Sequence, residues 1–144
     1  MFPLPETVTR SEAASWVLRV SLLSFAEIEN DPITHAKAFA KEHGGILLLK
    51  GCGTVVTDGD LTYIINRGCA GMATAGSGDV LAGILAGLCG YLPPNALTIA
   101  SGAYLAGMAG ELAQQKGNAI SMTASDTARE IANAFCILSN SKNI

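Results

Sequence analysis

Apolar and polar positions recur along this chain with two different periods, and the places where the period changes outline its elements. Over residues 12–23, Trp16, Val20 and Leu23 return at spacings of four and three, the pattern of an amphipathic helix. A second helix is better punctuated. Asn30-Asp31-Pro32 supplies a cap residue and a first-turn proline, and Gly44-Gly45 supplies the stop. Between them Ile33, Ala36, Phe39 and Ala40 form the inward stripe, with Lys37, Lys41 and Glu42 turned to water. Ile46-Leu47-Leu48-Leu49 follows as an unbroken apolar run, as in a parallel strand covered on both faces. Two β-rich runs, Thr54–Thr57 and Leu61–Ile65, then flank Asp58-Gly59, a pair whose preference for left-handed turns predicts a hairpin. Asn66 to Gly78 shows no period. Helices resume over Asp79–Tyr91, Asn95–Lys116 and Ser125–Asn140, broken at Pro93-Pro94 and at Gly117-Asn118. Helix, strand, hairpin, glycine loop and three helices make an α/β chain without repeats or low-complexity segments.

Composition narrows the class. The chain has 144 residues, of which 49% are apolar and 15% charged, so it buries enough surface to order as one domain. Its net charge of −3 gives no surplus of cations to neutralise phosphates, which excludes nucleic acid and acidic lipid as broad partners. Cys52, Cys69, Cys89 and Cys136 have the spacing of neither a zinc pair nor a compact disulfide scaffold. They read as reduced thiols in a cytoplasmic chain, and the N-terminus lacks an export pattern. His35 and His43 lie two turns apart on a predicted helix with no third ligand nearby, as surface histidines do, so no metal site is expected.

Two segments test for a membrane. Val80–Leu92 would reach only about 20 Å as a helix, short of a hydrocarbon core of about 30 Å. Ala96–Ala113 is longer and carries a small-residue stripe of Gly102, Ala106 and Gly110, but it runs into Glu111-Leu-Ala-Gln-Gln-Lys116. The stripe is therefore expected to let two helices of a non-membrane protein pack closely.

The chemistry concentrates in Gly71-Met72-Ala73-Thr74-Ala75-Gly76-Ser77-Gly78-Asp79-Val80-Leu81-Ala82-Gly83. Gly76 and Gly78 clear side chains from the backbone just where a helix begins, and the exposed N–H groups and positive dipole end of that helix favour an anion. A Walker P-loop would place Lys and then Ser or Thr after its last glycine, whereas Asp79 stands here. A carboxylate beside an anion turn is suited to taking a proton from a hydroxyl while the turn holds charge on a transferring phosphoryl group. The plainer alternative is a loop in which Ser77 or Asp79 caps the next helix. Lys50, at the carboxyl end of the predicted strand, stands where open α/β sheets collect ligands.

The stretches Lys50-Gly51-Cys52-Gly53-Thr54-Val55-Val56 and Gly71–Gly83 together resemble the ADP- or ATP-dependent NAD(P)H-hydrate dehydratases of the ribokinase-like superfamily. Similarity continues through Ala103-Tyr104-Leu105-Ala106-Gly107-Met108-Ala109-Gly110 to Ala124-Ser125-Asp126. The resemblance implies an α/β, ribokinase-like fold represented by its second half, with residues 1–144 as a single partial nucleotide-binding domain. Residues 31–144 match the family, and 1–30 remain poorly defined. It also implies a repair reaction, the nucleotide-driven dehydration of hydrated NADH or NADPH. By position, Lys50, Gly51, Cys52, Gly53 and Thr54 would contact ADP or ATP, and Gly76, Ser77 and Gly78 its phosphates. Asp79 would face the hydrated nicotinamide as substrate contact and catalytic base, with Mg2+ accompanying the nucleotide and no metal held by the protein. Ala75 stands where the family usually has another glycine, and Cys69-Ala70 replaces an Asn-x pair. The family's Pro-His-x-Gly-Glu segment corresponds to Val8-Thr9-Arg10-Ser11-Glu12, matching only at Glu12. Without the strands of the first half, Ile46–Leu49 would keep an unpaired edge, which favours self-association or pairing with the missing N-terminal half. Two other readings share these residues: a non-catalytic nucleotide-binding remnant or partner subunit, and a small-alcohol or vitamin kinase of the same superfamily.

Overall fold

The computed structural model of the chain describes Ile28 and residues 30–140. The helix expected over residues 12–23, together with Thr9 and Glu12, lies outside the described residues. Helix α1 (Pro32–His43) begins as its sequence requires: Asp31 Oδ1 accepts the Thr34 N–H at 3.1 Å, and proline occupies the first turn. It ends at Gly44, whose φ of 70° is left-handed. Ala36 and Ala40 are buried as expected, but Ile33 is exposed. His43 departs from the surface expectation. Its side chain is only 9% exposed and its ring centroid lies 4.3 Å from that of Phe39, so it packs as an aromatic at the helix end.

Strands β1 (Leu47–Leu49), β2 (Thr54–Thr57) and β3 (Thr62–Ile65) form one three-stranded sheet in that order. Its register sets Leu48 opposite Val56 and Val56 opposite Tyr63. The hairpin forms where Asp58-Gly59 predicts it. Asp58 Oδ1 takes the N–H groups of Asp60 and Leu61 at 3.0 and 2.8 Å, and Gly59 has a φ of 97°. The expected parallel strand is corrected: β1 runs antiparallel to β2. The physical reason is the short turn 50–53, since a parallel neighbour requires a crossover of about a dozen residues or more. No strand among the described residues covers the outer edge of β1.

The helical layer comprises α2 (Ser77–Cys89), α3 (Ala96–Lys116) and α4 (Ala124–Asn140). Asn95 caps α3 through the Thr98 N–H at 2.9 Å, just after the two prolines. Helix α4 opens at Thr123, whose N–H and hydroxyl both donate to Asp126 Oδ2, at 2.8 and 2.7 Å, one half of a capping box. Helix α1 packs on β1 and β2, and α3 packs on β2 and β3. The core between sheet and α3 holds Val56, Ile65, Ala100 and Ala103. A second core, among the three helices, joins Ile84, Leu105, Ala106, Met108, Ala109 and Ala134. The small-residue stripe explains this closeness. A Cβ on Gly102 would stand 2.5 Å from Leu85 Cδ2 and 3.1 Å from Leu88 Cδ1, so α3 and α2 touch through glycine. Among the described residues no helix is long and apolar enough to cross a membrane.

Candidate functional site

The carboxyl end of β1, the loop after β3 and the first turn of α2 converge on a cleft of about 920 Å3. One lip is the turn Lys50, Gly51, Cys52, Gly53 and Thr54; the other is Asn66 to Ala70 with Met72 to Thr74. Ser77, Gly78 and Leu81 face the cleft from α2, and Ala103, Ala106 and Gly107 of α3 close its base. Of the nine candidate residues, seven line this one cleft: Lys50, Gly51, Cys52, Gly53, Thr54, Ser77 and Gly78. Gly76 and Asp79 do not.

Helix α2 starts two residues earlier than the sequence predicts, at Ser77, and this decides the placement. Successive helical residues are about 100° apart, so Ser77 and Leu81 share the cleft face while Asp79 is turned about 200° away from Ser77. The Asp79 side chain is exposed in the first turn, and its N–H donates to the Gly76 carbonyl at 3.0 Å. Neither Ser77 nor Asp79 caps the helix. The cap is Gly76 itself, left-handed at φ 87°, where a Cβ would also stand 3.2 Å from Ala124 Cβ. Gly76 therefore shapes the turn rather than lining it.

Three groups at the start of α2 match an anion. The Ser77 N–H donates to the Thr74 carbonyl at 3.3 Å, and those of Asp79 and Val80 to the Gly76 carbonyl, leaving the Gly78 amide without a protein acceptor among the described residues. A Cβ on Gly78 would lie 3.4 Å from Lys50 Nζ, so the ammonium stands directly over this bare backbone. No carboxylate among the described residues pairs with Lys50. Ser77 Oγ is buried and has no hydrogen-bond partner among the described residues. A buried hydroxyl left in this state costs about 1–3 kcal/mol, a cost removed when a ligand oxygen or water meets it. A cation, a free amide at a helix N-terminus and an unpartnered hydroxyl on one cleft are the donor set for phosphate oxygens.

The far lip was not legible as a site. Arg67 lines the cleft, and its guanidinium is held by α3, with Nε 3.1 Å from Tyr104 Oη and one Nη 2.8 Å from Glu111 Oε2. These partners keep the Arg67 charge more firmly protonated than usual, the Tyr104 hydroxyl bond first and the Glu111 carboxylate next. The available signal was the row Tyr104, Glu111 and Gln114, polar residues at helical spacing on an otherwise apolar helix.

A family model described as NAD(P)H-hydrate dehydratase matches residues 18–133. A bifunctional NAD(P)H-hydrate repair enzyme Nnr from Moorella thermoacetica is 50% identical over 95 residues, covering 64% of this chain and 18% of that protein. An ADP-dependent (S)-NAD(P)H-hydrate dehydratase from Cenarchaeum symbiosum is 43% identical over 76 residues, covering 53% of this chain and 26% of that one. Among solved structures, Bacillus subtilis YxkO superposes with a TM-score of 0.71 at 25% identity, covering 78% of this chain and 42% of that one. The Bacillus subtilis ADP/ATP-dependent NAD(P)H-hydrate dehydratase co-crystallised with ATP/Mg2+ and soaked with CoA gives 0.75 at 24% identity, covering 84% and 45%. The fold is thus ribokinase-like, as the sequence predicts. The chain spans less than half the length of each of these proteins.

Proposed function

The chain belongs to the NAD(P)H-hydrate dehydratase family, and on that premise we propose that it carries the nucleotide side of a repair reaction, the dehydration of hydrated NADH or NADPH driven by ADP or ATP. The observation that carries this reading is the start of α2, where Lys50 Nζ, the Gly78 amide and the unpartnered Ser77 Oγ meet one cleft. Lys50, Gly78 and Ser77 would hold phosphate oxygens, and the turn 51–54 the rest of the nucleotide. Mg2+ would arrive with the phosphates and neutralise part of their charge, since no group of three His, Cys, Asp or Glu among the described residues could hold a metal ion.

Asp79 then faces away from the nucleotide, across the first turn of α2. On this reading the transferring phosphoryl group and the accepting hydroxyl would meet at the edge of the first turn, with the nucleotide on the Ser77 side and the exposed Asp79 carboxylate reaching the hydroxyl from the other. The Asp79 carboxylate would take the proton of the added hydroxyl as that oxygen accepts the phosphoryl group and the shortened nucleotide leaves; elimination of the phosphate together with a proton from the adjacent ring carbon would then restore the ring double bond. Four free cysteines fit a reducing, cytoplasmic setting.

Calorimetric titration of the purified chain with ATP and ADP tests the cleft; absence of binding to either would overturn the reading. For Asp79→Asn, nucleotide affinity should stay within about twofold while dehydration falls by about 100-fold or more. Undiminished repair by this variant would remove Asp79 from the chemistry. A second reading, nucleotide binding without turnover by this chain alone, is favoured by the outer edge of β1, which no strand among the described residues covers. Repair that appears only on adding the first half of a family domain would select it. A phosphorylated alcohol as product would instead select the kinase of the same superfamily.

A further inference from the structure

The cleft wall from Asn66 to Met72 has little regular structure of its own, only the 3-10 turn Ala70–Met72. Its order comes from one face of α3. Glu111 Oε1 accepts the Gly68 N–H at 2.9 Å while Oε2 accepts the Arg67 guanidinium at 2.8 Å. One turn on, Gln114 Oε1 accepts the Gly71 N–H at 3.0 Å. Two turns back, Tyr104 Oη accepts Arg67 Nε and its ring lies 5.3 Å from the guanidinium. Between these, Gly107 lets the wall's backbone lie against the helix. Glu111 lines no part of the cleft.

We propose that Glu111 is a positioning residue: by gripping the Gly68 amide and the Arg67 guanidinium together it fixes this wall, and so sets how tightly the cleft takes its nucleotide. Bonds in which both the acceptor and one donor carry charge are the strongest anchors available to an irregular segment. A wall ordered in advance spares the ligand the entropy of ordering it. The proposal rests on the nucleotide reading above, so its test has one arm that needs no nucleotide.

That arm is amide exchange at Gly68 and Gly71, followed by NMR on the nucleotide-free chain. In Glu111→Ala the Gly68 amide should exchange at least about tenfold faster, while Gly71, held by Gln114, changes little. ATP affinity by calorimetry should fall about tenfold in the same variant. Glu111→Gln keeps an oxygen for Gly68 and gives up the charge facing Arg67, so it should lie between. Glu130→Gln, which loosens α3 against α4 away from the cleft, should bind ATP as the wild type does. Unchanged Gly68 exchange in Glu111→Ala, unchanged ATP affinity, or equal weakening by Glu130→Gln would each overturn the proposal. A wild-type chain that binds no nucleotide overturns the affinity step and the functional reading together, whereas the exchange result judges the grip by itself.

Discussion

The two lips of the cleft are built in opposite ways. The turn Lys50–Thr54 holds itself: its side-chain bonds are those of the Thr54 hydroxyl with the Gly51 carbonyl and N–H, at 3.4 and 3.5 Å, long enough to be weak. The opposite wall is fixed at 2.8 to 3.0 Å by Glu111 and Gln114 from a helix more than 40 residues later. One lip is free to adapt to what enters; the other is a preset surface. The difference teaches that irregular backbone at a site can borrow its rigidity from side chains, here Glu111 and Gln114, that themselves line no part of the cleft.

Gly107→Ala breaks the comparison most severely. Its Cβ would stand 2.5 Å from Arg67 Cβ and 2.7 and 2.8 Å from the Arg67 carbonyl carbon and oxygen, so backbone rather than a side-chain end must yield. Urea unfolding should show a loss of about 1–3 kcal/mol, the usual cost of overpacking, and ATP binding should be lost as the wall is pushed off α3. Unchanged stability would mean the wall is as adaptable as the turn opposite.

Lys50→Met isolates the adaptable lip. The ammonium has no carboxylate partner among the described residues and stands over Gly78, so its removal should leave the unfolding midpoint unchanged while ATP affinity falls about tenfold. The remaining affinity should also depend less on salt, because one exposed charge has gone. A matching loss of stability would show that Lys50 supports the fold instead.

What was legible in the sequence divides along the same line. The Lys50 turn, the Asp58-Gly59 hairpin and the Gly76-Ser77-Gly78 helix start declare themselves locally, since caps, left-handed turns and bare helix starts are set by neighbours in the chain. The start of α2 lies two residues earlier than the sequence predicts, because the left-handed Gly76, and no side chain, caps it. The antiparallel sense of β1 was obscured because an apolar run states burial, not direction. The Arg67–Glu111 grip was invisible for a different reason: it joins residues 44 positions apart, and no local pattern marks which charge an unpatterned loop will offer.

The mildest test lies away from both lips, where α3 meets α4. Lys116, near the end of α3, places its ammonium 2.8 Å from both oxygens of Glu130 on α4, and Asn133 adds a bond at 2.7 Å. The Lys116 bond chiefly, and the Asn133 amide after it, hold the Glu130 carboxyl below the ordinary glutamate range. Because the folded state lowers this value, the stabilisation is complete above the ordinary glutamate value and disappears as pH falls through the lower native value. The melting temperature of Glu130→Gln should therefore lie below wild type at pH 7, and the two should converge as pH falls through the lowered native value. A gap that persists unchanged into acid would mean that Glu130 acts through packing rather than through its charge.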